Sequence, residues 1–109
     1  MKSLSEKCSI YKKSLLELNQ NPDTQAQKRI IYQINQMIHL CLKGENNLKL
    51  TRTEADSVDL IIKTPSNLRI RIDNIIKILD KIARSEHQNL DLVRLDIYSK
   101  QAYQDLHQK

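Results

Sequence analysis

The sequence predicts an all-α protein, a single compact bundle of four to five helices over residues 1–109. Three observations predict it. The chain has no Phe, no Trp and only four Tyr, so aliphatic side chains must fill the interior. One Gly and two Pro are too few for the many tight turns of a sandwich or barrel. Leu and Ile recur at three- and four-residue steps, which lays them along one side of a helix.

A first helix is predicted from Ser3 to Asn19, with Leu4, Cys8, Tyr11, Leu15 and Leu18 on one stripe. Asn21 and Pro22 end it, because Pro removes a backbone donor and clashes with the preceding turn. The second helix starts at Asp23 or Thr24, both good caps, and runs to Lys43. Ile30, Ile34, Met37 and Cys41 make its stripe, Ile31 and Ile38 widen it, and Gly44 stops it. Glu45 to Arg52 reads as a loop anchored by Leu48 and Leu50.

A short third helix is expected from Thr53, with Asp56 as the second half of a capping box. Its shared face is Ala55, Val58 and Ile62, and Pro65 ends it by pushing the residue before it out of the helical region. Ser66 or Asn67 caps a fourth helix reaching Ser85. Leu68, Ile72, Ile75, Leu79 and Ile82 are its inner stripe, and Arg69 and Asp73 are spaced as an i, i+4 pair. After a polar break at 86–89, a fifth helix runs from Leu90 to Leu106. Leu92, Leu95, Ala102 and Leu106 mark one face, with Val93 and Tyr98 alongside, and residues 107–109 are expected to fray.

The composition argues against catalysis. One Gly excludes a phosphate-cradling loop or a dinucleotide fingerprint, because close approach of backbone to phosphate needs glycines. The three His and two Cys match no metal-ligand spacing, so no cofactor, metal or small-molecule substrate is expected. Cys8 and Cys41 fall on apolar faces and read as small buried hydrophobes, which suits a reducing, cytoplasmic setting. No apolar run approaches a membrane span.

Three short stretches resemble known families. His39-Leu40-Cys41-Leu42-Lys43-Gly44 resembles the motif of histidine phosphotransfer domains, with Leu40 and Cys41 intervening before Leu-Lys-Gly; it implies a bundle with a phosphorylated histidine. Ile10-Tyr11-Lys12 followed by Leu15 and Leu16 is similar to the opening of LYR-motif proteins, with Ile10 at the first position. That implies a basic bundle binding acyl carrier protein. Leu50 to Glu54, Leu60-Ile61, and Pro65 to Arg69 with Asn74-Ile75 resemble pieces of helix-turn-helix domains. In them, Arg69, Arg71 and Lys77 would face DNA. No one family covers the chain.

The leading expectation is a small non-catalytic interaction protein of adaptor or chaperone character. It would bind a protein partner or a second copy of itself through apolar helix faces. The candidate face is Ile31, Ile38, Ile76, Leu92 and Tyr98. The alternative follows from the net charge of +5: a basic nucleic-acid-binding protein that contacts the phosphate backbone. Its candidate contacts are Lys28, Arg29, Lys43, Lys49, Arg52, Arg69 and Arg71. Lys28 and Arg29 start the second helix, while Lys43, Lys49 and Arg52 flank its far end. Arg69 and Arg71 are expected to fill the gap between the two groups.

Overall fold

The local signals translate into five helices among the described residues. A computed structural model describes residues 3–44 and 50–107, with only the backbone of residues 43 and 44. Helix α1 is Leu4–Gln20, α2 Thr24–Gly44, α3 Arg52–Lys63, α4 Leu68–Ala83 and α5 Asn89–His107. Each start has a side-chain cap or a back-bond. Ser3 accepts from the Glu6 N–H, Asp23 from the N–H groups of Gln25 and Ala26, and Asn67 from that of Ile70. In the first turn of α5 the Asp91 carboxylate accepts from the Gln88 N–H.

Most boundaries fall within a residue or two of expectation, and two differences have a clear physical reason. The α3 capping box is formed by Thr51 and Glu54, not Thr53 and Asp56. Glu is long enough to reach back to the cap's own N–H, so the earlier Thr takes the role. His107 belongs to α5 instead of fraying, with its ring stacked on Tyr103 one turn earlier.

Four helices form the core. α1 packs on α2 and α4, and α5 packs on α2 and α4, so the cyclic order is α1–α2–α5–α4. Every neighbour runs antiparallel. Lys12 of α1 meets Asp80 of α4, while Asn19 at the other end of α1 lies near Leu68 at the start of α4. On the opposite seam Asn35 of α2 meets Ser99 of α5, and Tyr32 meets Tyr103. α2 therefore ends at the opposite end of the bundle from where α4 starts, and α3 carries the chain back along the outside. Among the described helices α3 packs only on α5.

The core is aliphatic, as the composition requires: Leu15, Ile31, Ile34, Ile38, Ile75, Leu79, Ile82, Leu95 and Leu106 are fully enclosed. The expected stripe of α4 holds, with Ile72, Ile75, Leu79 and Ile82 buried and Ile78 added. α2 is rotated from expectation. Ile31, Ile34 and Ile38 are buried at its centre, and Ile30, Met37 and Cys41 flank them half-buried. α3 is rotated too: Ile61 packs on the core, while Ala55 and Ile62 are exposed. Among the described residues no ion pair joins Arg69 to Asp73. Arg71 instead pairs with Asp105 of α5 and donates to Ser66. Leu50 is half-buried, while Leu48 lies outside the described residues.

Candidate functional site

Two surface features stand apart from the packed faces. The first is a cleft of about 330 Å³ between α3 and α4, lined by Leu60, Ile61, Thr64, Pro65, Ser66, Ile70, Asn74 and Tyr98. α3 buries none of its side chains fully. Leu60 is 66% exposed, Ile62 57% and Ile70 47%, large fractions for aliphatic side chains. Among the described residues no charged one lines this cleft. Its floor is Tyr98, whose ring centroid lies 5.8 Å from the Arg94 guanidinium carbon.

The second is an open cleft of about 420 Å³ where α2 begins and α5 ends. It is lined by Gln25, Lys28, Arg29, Tyr32, Tyr103 and His107. Tyr32 follows Lys28 by four residues and Arg29 by three, so all three share one helix face. Tyr103 and His107 are also one turn apart, and their rings stack at 18° with centroids 5.7 Å apart. Tyr103 tilts at 47° to Tyr32 across the seam, centroids 5.8 Å apart. Among the described residues no carboxylate lines the cleft. The nearby Asp105 is engaged by Arg71, and Asp23 by the first turn of α2.

The expected partner face is corrected. Ile31, Ile38, Leu92 and Tyr98 are buried in the bundle's own core, and Ile76 is half-buried against it. A width of apolar face that looks surplus on one helix is consumed when that helix has two neighbours. Of the large apolar side chains that remain exposed, Leu60, Ile62 and Ile70 lie on α3 and the start of α4, while Ile10, Leu16, Tyr32 and Leu40 are spread over α1 and α2.

The expected basic contacts divide. Lys28, Arg29, Arg69 and Arg71 all lie at one end of the bundle, because α4 starts beside the end of α1 and the start of α2. Arg69 therefore does not bridge toward Arg52, which is exposed at the start of α3. Arg29 and Arg69 are exposed, Lys28 is half-buried, and Arg71 is held by Asp105 and Ser66. Lys49 and the Lys43 side chain lie outside the described residues. Helices α3 and α4 face each other across a cleft and do not pack together, unlike the pair of a helix-turn-helix. His39 is exposed on α2.

Among the described residues no group of three or more His, Cys, Asp or Glu could hold a metal ion. No described helix is long and apolar enough to cross a membrane. Fold and surface together define a four-helix bundle with an external crossover helix. No family model matches the chain, and no curated protein or solved structure matches it significantly.

Proposed function

We propose that this protein is a non-catalytic interaction module whose α3–α4 cleft docks another polypeptide. The observation that carries the proposal is the state of α3, an amphipathic helix with no fully buried residue and with Leu60 and Ile62 turned to solvent. Fully covering a Leu or Ile side chain contributes about 1.5–3 kcal/mol. A partner that seats apolar side chains against Leu60 and Ile70 gains that term without a charge to desolvate, since the lining is neutral. The buried thiol of Cys8 suits a reducing compartment for this role.

The test is photo-crosslinking in cells with a photo-reactive amino acid in place of Leu60 or Ile70, and of exposed Lys13 on α1 as the control. Light scattering of the purified protein at micromolar concentration runs beside it. A discrete adduct from positions 60 and 70 only, abolished by Ile70→Asp or Leu60→Asp at the other position, supports the docking role. The adduct mass tells a second copy from a different protein. A monomer by light scattering with no adduct above the Lys13 control overturns it.

A further inference from the structure

The cleft at the α2–α5 end is built differently from the docking cleft and points to a different ligand. We propose that Lys28, Arg29, Tyr32, Tyr103 and His107 form a binding site for a nucleotide unit, a nucleobase carrying phosphate. Four features of the cleft combine to define it.

Its rings are connected. Tyr103 belongs to two ring pairs, with Tyr32 on one side of the seam and His107 on its own helix. The two outer rings remain open, since Tyr32 is 51% exposed and His107 is exposed. A nucleobase stacks on an open aromatic ring whatever its sequence, because every base has a π-face.

Its charge is of one sign. Lys28 and Arg29 project from the helix face that carries Tyr32, and neither has an ion-pair partner among the described residues. An ammonium and a guanidinium one turn from an exposed ring match a phosphate attached to a stacked base. Gln25 adds an amide that can donate or accept at a base edge.

Its acids are occupied elsewhere. Asp105, two residues from both Tyr103 and His107, is drawn to Arg71 on α4. Asp23 caps α2 with its carboxylate. Among the described residues no carboxylate lines the cleft to oppose an anion. Its volume of about 420 Å³ lies within the range of small-ligand sites, roughly 300–1,000 Å³.

The nucleotide unit has two sources, single-stranded nucleic acid or a free nucleotide. The experiment is fluorescence anisotropy of the full chain with a labelled single-stranded oligonucleotide at low salt. Competitors are an abasic strand of equal charge, a mixture of nucleoside monophosphates, and polyglutamate. Wild-type protein is expected to bind the oligonucleotide at least about tenfold more tightly than the abasic strand, the scale of stacking one base.

Tyr32→Ala removes that preference and Tyr32→Phe keeps it. Lys28→Glu with Arg29→Glu weakens binding of both strands and lowers the slope of log affinity against log salt by about 1.4, two phosphates' worth. Lys13→Glu on α1 changes neither. Displacement by the monophosphates at concentrations comparable to the strand assigns the site to free nucleotide, and its absence assigns it to a strand. Equal binding of the abasic strand, wild-type behaviour of Tyr32→Ala, or equal displacement by polyglutamate overturns the proposal. Tyr32 and Arg29 are exposed and Lys28 is half-buried, and a circular dichroism melt checks that each variant folds.

Discussion

The Lys12 ammonium of α1 donates a 2.7 Å hydrogen bond to Oδ1 of Asp80 on α4, 68 residues away in sequence. Arg84, one turn after Asp80, pairs with the other oxygen at 3.2 Å. The Lys12 bond ties the seam where the first and fourth helices pack, and Arg84, at α4's own end, holds the Asp80 carboxylate beside it.

This seam makes stability depend on pH in one direction. The Asp80 carboxyl is held below the usual carboxylate range, first by the hydrogen bond from Lys12, against some desolvation, and with help from Arg84. A depressed folded value means the contribution is full above the unfolded carboxylate value, about 3.9, and is lost as pH falls through the lower folded value. Thermal melts should therefore show a destabilisation below about pH 4 that is smaller in Asp80→Asn. A wild-type and a variant curve of the same shape would contradict this.

Asn35 pins α2 to α5. Its amide nitrogen lies 2.9 Å from Ser99 Oγ, 3.2 Å from Asp96 Oδ1 and 3.3 Å from the Asp96 carbonyl. Ser99 is fully buried, so solvent cannot replace the lost partner. Because Ser99 keeps its bond to the Asp96 carbonyl, Asn35→Ala is expected to cost about 0.5–1.5 kcal/mol, the net worth of a buried hydrogen bond. A urea titration with unchanged slope and a lowered midpoint would report it.

The end of α4 offers a stabilising change. The Glu86 N–H donates to the Lys81 carbonyl at 2.9 Å and the Ser85 N–H to the Ile82 carbonyl at 3.0 Å, the pattern of a Schellman cap. Ser85 sits at its left-handed position, φ 58°, where a Cβ is unfavourable. Ser85→Gly should relieve that conformation and raise stability by up to about 1 kcal/mol, after Gly's greater unfolded entropy is subtracted. Calorimetry would show this as a melting temperature higher by a few degrees.

Cys8 should behave as a protected thiol. Burial pushes it up to about 12, with a smaller contribution from the neighbouring Cys41. A value raised on folding favours the folded state fully below the unfolded thiol value, and that contribution is lost as pH rises toward 12. At pH 8, iodoacetamide is expected to spare Cys8 in the native protein and to modify it in denaturant, as read by peptide mass. Native labelling at Cys8 would place the thiol outside the core.

Much of this architecture is legible along the chain. The stripe from Ile72 to Ile82 was visible as spacing, because four inward positions one turn apart leave little choice of face. The Thr51–Glu54 box was also written in the sequence, but it lies inside a stretch that Asn46 and Asn47 mark as a loop. Ile61 and Ile62 are adjacent and equally apolar. Only contact with α5 decides that Ile61 turns inward and Ile62 outward.

The ring cluster divides the same way. Lys28, Arg29 and Tyr32 share a helix face by spacing, and so do Tyr103 and His107. Their meeting depends on α2 and α5 lying antiparallel with matching ends. By itself, the sequence determined the helical segments, most of their caps and an aliphatic interior, since these follow from periodicity and from hydrogen bonds a few residues apart. The tertiary structure decided which helices are neighbours, and therefore which apolar faces are consumed. That choice reflects packing among side chains dozens of residues apart, and it left Leu60 and Ile70 outside while enclosing Ile31 and Ile38.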